Sequence, residues 1–201
     1  PYQKMKIIGI TGGIGSGKST VVNFFRELGI PAYIADTRAK ELMRESEKLK
    51  EEIINLLGND SYKNDEPDRA YIAEQIFNNR KKLTELNAII HPAVHKDLRA
   101  WLKKIKQNNP PYCIYEAAIL LESGSHHICD KILLVTSPME KRIERVMLRD
   151  NTSRNRIKER MAHQWSDDKK KKLADIVLDN NDLDITKREV EKVHQMLIKD
   201  D

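Results

Sequence analysis

The sequence predicts an α/β fold: a five-stranded parallel sheet flanked by helices, carrying a helical insertion and a helical lid. Three observations lead there. Short apolar runs that read as buried strands recur along the chain. The first two enclose an amphipathic helix, the strand–helix–strand unit from which a parallel sheet is built. Two charged stretches with helical rather than alternating periodicity separate later runs: a long one before the third, and a basic one between the fourth and fifth.

The elements follow in order. "KIIGIT", residues 6–11, is apolar and runs into glycines, as a buried strand does. Residues 18–28 place Val21, Val22, Phe24, Phe25 and Leu28 at helical spacing, and Gly29 is set to end that helix. Pro31 opens a second apolar run, "AYIA", which stops at Asp36. From Thr37 to Gln107 the pattern is helical and charged, broken around Pro67 in "GNDSYKNDEPD". Pro92 reads as the start of a helix. Residues 112–120, 131–136 and 174–180 supply the third, fourth and fifth strands, and a final amphipathic helix spans 184–198. The expected division is one domain, with a core of residues 1–36, 108–141 and 166–201, a helical region 37–107 and a lid 142–165.

Composition sets bounds. The 201 residues, 39% hydrophobic, suffice for one sizeable core. A net charge of +5 suits an anionic ligand, and the 5% aromatic content shows no stacking motif for nucleic acid. No apolar run approaches the roughly 20 residues that span a bilayer. Cys113 and Cys129 have no metal-ligand spacing, so a reduced, cytoplasmic setting is expected. The N-terminus "PYQKMKIIGI" shows no signal-peptide pattern, since its apolar stretch runs straight into the glycines, and the residues before Met5 are either native or a leader or tag.

Five of the eight glycines lie between Gly9 and Gly17. Gly12 to Ser19, "GGIGSGKS", matches G-x-x-x-x-G-K-[ST] at every fixed position. With an apolar run before it and an amphipathic helix after it, this is a phosphate loop, and the fold is of the P-loop NTPase type. Gly13, Ile14, Gly15, Ser16 and Gly17 would bring backbone N–H groups to the phosphates, helped by the helix N-terminus. Lys18 would reach the β- and γ-phosphates, Ser19 would ligate Mg²⁺ and Thr20 would assist at the α-phosphate. The expected ligands are ATP and Mg²⁺.

A GTP-dependent switch would carry Asp-x-x-Gly and Asn-Lys-x-Asp, and neither string occurs. A kinase would place positive charge around the phosphoryl group. From Pro138 to Lys172 there are twelve Lys and Arg against six Asp and Glu. Arg145 and Arg149, four apart, would share a helix face, and Arg160 and Gln164 repeat the offset. Lys169 to Lys172 read as a solvated face. Asp36, at the end of the second strand, would either orient an attacking hydroxyl or cap the next helix. Glu116, on the third strand run, would either act at Mg²⁺ or pair with a lysine. His91 and His95 could share a face but make a poor metal site with only two ligands.

Together "TGGIGSGKSTV", "LGIPAYIAD", "IIHPAV", "ILLESG", "RVMLRD", "RMAHQ" and "ADIVLDN" resemble, in order and spacing, the dephospho-coenzyme A kinase family. The resemblance implies transfer of the γ-phosphoryl of ATP to the 3′-hydroxyl of dephospho-CoA, the last step of coenzyme A biosynthesis. A monomer is the expected state. By resemblance Asp36 is the catalytic aspartate, with Lys18, Arg145 and Arg149 acting beside it. His91, Glu116 and Arg160 fall at acceptor-side or lid positions, and Asn180 falls near the adenine. Two positions depart from the family: Ile34, where an acid is frequent, and Ala118, where proline is usual. The alternative reading is another small-molecule kinase acting on a nucleoside or nucleotide.

Overall fold

The structure, a computed structural model, describes residues 5–77 and 79–199. The residues ahead of Met5 lie outside the described residues. In chain order the elements are β1 (Lys6–Thr11), α1 (Lys18–Glu27), β2 (Ala32–Ile34), α2 (Ala35–Glu45), α3 (Glu47–Leu57), β3 (Tyr62–Lys63) and β4 (Glu66–Pro67). Then come α4 (Arg69–Phe77), α5 (Arg80–Ile105), β5 (Tyr112–Glu116), β6 (Lys131–Thr136), α6 (Met139–Asp150), α7 (Arg154–Ala162), α8 (Asp167–Lys171), β7 (Ile176–Asp179) and α9 (Leu183–Lys199). The chain divides into two compact units, residues 35–104 and the remainder.

In the larger unit the sheet order is β2-β5-β1-β6-β7, with every pairing parallel. The strands that meet water least, β1, β5 and β6, are runs of Ile, Leu, Val and Tyr without alternation, as a sheet covered on both faces requires. Ile8, Ile10, Ile114, Leu133 and Val135 from the sheet pack with Val21, Val22 and Phe25 of α1 and Val190 and Leu197 of α9. The end of α1 follows from its glycine. Gly29 adopts φ 81°, its N–H reaches the Arg26 carbonyl at 2.9 Å, and the Ile30 N–H reaches Phe25 at 3.1 Å. That is a Schellman ending, and Ile30 and Phe25 both join the core.

Because all five strands run the same way, their carboxyl ends share one edge. Thr11, Ile34, Glu116, Thr136 and Asp179 end there, and the register puts Glu116 opposite both Ile10 and Ile34. The third strand stops at Glu116 rather than continuing to Leu120. Residues 117–123 turn instead, and the Thr11 hydroxyl donates to the Ala118 carbonyl at 3.4 Å. Apolarity misled the reading here, because Leu120 and Leu121 are buried from a turn and not from a strand.

The smaller unit buries Ile53, Leu57, Tyr62, Ile72 and Leu86. It is not purely helical. Asn64 and Asp65, at φ 50° and 64°, make a two-residue turn that pairs β3 with β4 antiparallel. Two successive left-handed residues match the twist of a hairpin, and Asn and Asp tolerate them. Arg38 of α2 forks onto Asp97 of α5, donating from Nε at 3.0 Å and from its terminal nitrogen at 2.9 Å. Pro92 does not start a helix; it lies well inside α5, which continues for 13 residues beyond it. Proline removes one backbone donor, that to Ala88, and the rest of the 26-residue ladder carries the helix through.

Candidate active site

The phosphate loop joins β1 to α1 at the carboxyl edge of the sheet. Gly12 and Gly13 are buried, Ser16 is fully buried, and Ser19 is exposed at the first turn of α1. The first turn of any helix leaves N–H groups without intrahelical partners, so the loop ends in donors directed at an anion. Gly17, at φ 89°, makes the entry to α1 in a conformation that glycine adopts without strain.

The sequence reading explained the glycines by the approach of phosphate. The structure adds a second cause within the protein. A methyl group on Gly13 would overlap the Arg142 guanidinium, one on Gly15 would overlap the Arg142 carbonyl, and one on Gly17 would overlap the Asn180 amide. One on Gly12 would meet the Val135 carbonyl, and one on Gly9 would lie 2.7 Å from Cys129 Sγ. Gly9 is thus a strand residue under a loop, Gly12 lies against β6, and Gly13, Gly15 and Gly17 let α6 and the residue after β7 close over the phosphate loop.

Lys18 Nζ donates to the Gly12 carbonyl at 3.1 Å and stands 3.9 Å from Glu116 Oε1. The lysine is folded back along its own loop, beside a carboxylate that ends β5 and is 8% exposed. The sequence reading of Glu116 offered Mg²⁺ or a lysine; the structure puts it near the lysine of the loop, where both readings meet. No group of three or more His, Cys, Asp or Glu suited to a metal exists among the described residues. The donor set here is a different one, the Ser19 hydroxyl and the Glu116 carboxylate. Both are hard oxygens, which suit Mg²⁺ because that ion keeps several waters and takes much of its shell from phosphate.

Arg145 is held against the loop. Its guanidinium donates to the carbonyls of Gly15 and Ser16 at 3.3 and 3.4 Å, to the Ser137 hydroxyl at 3.2 Å and to the Asn180 carbonyl at 2.9 Å. Asn180 is 2% exposed, and both ends of its amide are used. It donates to the Ser16 carbonyl at 3.0 Å and accepts from the Thr186 hydroxyl at 3.1 Å. Asn180 therefore braces the loop from behind.

Arg149 does not share Arg145's surroundings. It donates to Asp150 from Nε at 2.7 Å, and Arg160 donates to the same carboxylate at 2.9 Å. Two guanidinium groups hold the Asp150 carboxyl well below the usual carboxylate range. Arg160 and Gln164 also part company, because α7 ends at Ala162 and Gln164 lies beyond its cap. Gln164 instead accepts from the Ile14 N–H of the phosphate loop at 2.9 Å.

Three further positions support the site: Arg142, which the sequence offers only as one of the segment's six arginines, and Lys170 with Glu122, which it does not single out. Arg142, 6% exposed, donates from Nε to the Ile14 carbonyl at 2.9 Å and from a terminal nitrogen to Asp167 at 3.1 Å. Its place three residues before Arg145 was the available signal. Lys170 is fully buried, contrary to the solvated reading of Lys169 to Lys172, and lies 3.0 Å from Glu122 Oε1. That contact is close but poorly aligned for hydrogen bonding. Glu122 also accepts from the Trp165 N–H at 3.0 Å. Four consecutive lysines hide the buried one, so no local signal marks Lys170.

In the smaller unit Asp36 lies in the first turn of α2, two residues past the end of β2, and is exposed. It is not the cap of that helix, which begins at Ala35. His91 is half-buried on α5; burial and the neighbouring His95 lower its pKa below the ordinary 6.5.

With this geometry in hand, comparison with known proteins is decisive. A family model described as dephospho-CoA kinase matches residues 6–185. The chain belongs to the dephospho-CoA kinase family. It is a phosphate-loop kinase, as its loop and sheet indicate. A dephospho-CoA kinase of Salinibacter ruber is 36% identical over 178 residues, covering 88% of this chain and 89% of its own. A solved structure of a Thermus thermophilus protein superposes with a TM-score of 0.83 at 30% identity, covering 98% of each chain. The dephospho-CoA kinase from Campylobacter jejuni gives a TM-score of 0.72 at 25% identity, again over 98% of each. No helix among the described residues is long and apolar enough to cross a membrane.

Proposed function

We propose that the chain transfers the γ-phosphoryl group of ATP to the 3′-hydroxyl of dephospho-CoA, giving CoA and ADP. The family match over residues 6–185 carries this reading, and the intact phosphate loop supports the donor half of it.

Each residue then has a task. Lys18 exchanges the Gly12 carbonyl for the β- and γ-phosphates, since a triphosphate is a far better partner for an ammonium than a neutral carbonyl. The backbone N–H groups of Gly13, Gly15 and Gly17, with those of Lys18 and Ser19, cradle the phosphates, whereas those of Ile14, Ser16 and Thr20 already donate to Gln164, Gly13 and Gly17. Ser19 and Glu116 hold Mg²⁺, which neutralises charge on the phosphate oxygens. Arg145 stabilises the same charge from its place on the loop. Arg149 and Arg160 join it when they leave Asp150, as residues 142–165 close like a lid. Asn180 supports the adenine side of the loop. Asp36 accepts a hydrogen bond from the acceptor hydroxyl and aims its lone pair at phosphorus. Because phosphoryl transfer is largely dissociative, this is orientation more than full deprotonation.

Residues 37–107 receive the acceptor, with His91 among them. The helical unit has a groove of about 590 Å³ walled by Leu42, Leu49, Ile89 and Pro92, with Lys48 and Lys96 beside it. Glu52 and Asp97 in the same lining balance those two lysines, so the apolar walls suit the aliphatic arm of the acceptor. The proposed compartment is the cytoplasm, in keeping with two cysteines that are free thiols, each raised by burial to about 12.

The test is ADP release by the purified protein with MgATP and, in turn, dephospho-CoA, nucleosides and nucleoside monophosphates. Turnover is expected with dephospho-CoA. Turnover confined to a nucleoside or nucleotide would replace this reading with the other kinase class.

A further inference from the structure

The Ile14 peptide stands apart from the rest of the phosphate loop. Its N–H donates to Gln164 Oε1 at 2.9 Å, and its carbonyl accepts from Arg142 Nε at 2.9 Å. Both polar groups of one loop residue are thus taken by side chains about 130 and 150 positions away in the sequence. The Ile14 side chain is held as well, packed against the buried cluster of Ile143, Val146 and Ile157, on which Met161 also packs. The two holding side chains are themselves fixed. Arg142 is 6% exposed and tied to Asp167, and Gln164 follows the last turn of α7, its own N–H donating to Met161 at 3.0 Å. Residue 142 is at one end of the basic segment and Gln164 near the other, so Ile14 lies where the two ends of that segment meet the loop.

A loop that binds phosphate through backbone N–H groups depends on their directions. The Ile14 N–H belongs to the Gly13–Ile14 peptide and the Ile14 carbonyl to the Ile14–Gly15 peptide, so the two bonds hold two successive peptide planes, and Gly13 and Gly15 are the residues whose freedom would otherwise let those planes turn. The Ile14 N–H is also removed from the set available to the ligand. We infer that Gln164 and Arg142 are positioning residues for the triphosphate: together they lock the two peptides that flank the Ile14 Cα and so set the curvature of the phosphate loop. This inference rests on the phosphate loop binding ATP, and it adds that the residues after α7 act on ATP through the backbone of the loop and not by touching the nucleotide.

The experiment compares the wild type with Gln164→Met, which keeps the volume but has no strong acceptor, and with Arg142→Lys and the double variant. It reads KM for ATP, KM for dephospho-CoA, thermal midpoint, and hydrogen exchange of the Ile14 amide by NMR. Gln164→Met is expected to raise KM for ATP about tenfold, as loss of a partly buried hydrogen bond would. KM for dephospho-CoA and the thermal midpoint should stay close to wild type, and the Ile14 amide should exchange faster. In the double variant the two effects should combine to less than their product, since the two peptides they hold are joined at the Ile14 Cα. An unchanged KM for ATP, an equal rise in both KM values, or unaltered Ile14 exchange would overturn the inference. Should Arg142→Lys not fold, Gln164→Met alone decides it. If the wild type fails to use dephospho-CoA, the acceptor assignment falls, while ATP titration and Ile14 exchange still test the lock.

Discussion

Asp36 and Lys18, both given a part in the proposed reaction, differ sharply in their surroundings. Lys18 touches its loop already, whereas Asp36 is an exposed side chain on the first turn of a helix. Asp36→Asn is expected to lower kcat by about a hundredfold or more while KM for ATP changes little, because only the acceptor's orientation is lost. Lys18→Ala is expected to impair both parameters. Steady-state kinetics with both substrates check this, and near-normal turnover by Asp36→Asn would remove that residue from the mechanism. Glycines allow a second comparison at this scale. Gly29 and Gly15 have nearly the same φ, 81° and 78°, but a methyl group on Gly29 meets nothing within 4 Å while one on Gly15 collides with Arg142. Gly29→Ala should cost about 1 kcal/mol of stability from backbone strain alone. Gly15→Ala should cost distinctly more in urea unfolding, and equal costs would mean that Arg142 does not press on the loop.

Single elements are held by contacts that charge counts obscure. In sequence the basic segment divides into arginines set to face the phosphates and a solvated run from Lys169 to Lys172, yet its members have other fates. Arg142 and Arg145 hold the loop, Arg149 and Arg160 hold Asp150, Lys169 sits 3.4 Å over the Trp165 ring, and Lys170 is buried against Glu122. The buried pair anchors α8 to the turn that follows β5. Removing one partner leaves the other as an uncompensated charge, so Lys170→Met is expected to destabilise the fold by about 3–5 kcal/mol. The same change at Lys171, which is half-exposed, should be nearly neutral. Thermal or urea unfolding of the two variants measures the contrast, and equal effects would show that the Lys170–Glu122 pair does not anchor α8.

For the whole molecule, pH is the simplest perturbation of the core. Tyr112 is fully buried and lies 2.7 Å from His194 Nδ1 on α9, joining the sheet to its last helix. Burial raises the Tyr112 hydroxyl, so it stays protonated and donates, and a neutral imidazole can accept at Nδ1 where an imidazolium cannot. Burial also lowers His194 below the ordinary 6.5. The folded state therefore binds fewer protons than the unfolded chain below pH 6.5. Stability is full above that value and declines as pH falls through the depressed folded value; His91, lowered by burial and His95, adds the same sign. Unfolding midpoints between pH 8 and 5 should fall on the acid side, and more steeply in the wild type than in His194→Gln. An identical slope in both would assign the effect elsewhere.

The sequence by itself determined the strands, their parallel arrangement, the phosphate loop and, through the order of its motifs, the family. These are local or sequential properties: apolar runs of strand length, a glycine pattern whose spacing is fixed by one turn of backbone, and short motifs that keep their order. Only the tertiary structure decided which charges are buried and what each arginine touches. Nothing local separates Lys170 from Lys169 or Arg145 from Arg149, because burial depends on which element packs above a side chain. The same holds for Gly13 and Gly15, whose pattern announces phosphate but whose lack of a side chain also admits Arg142. It holds for Ile14 too, since a peptide 150 residues from Gln164 can be tied to it only where the folded chain brings the two within a hydrogen bond.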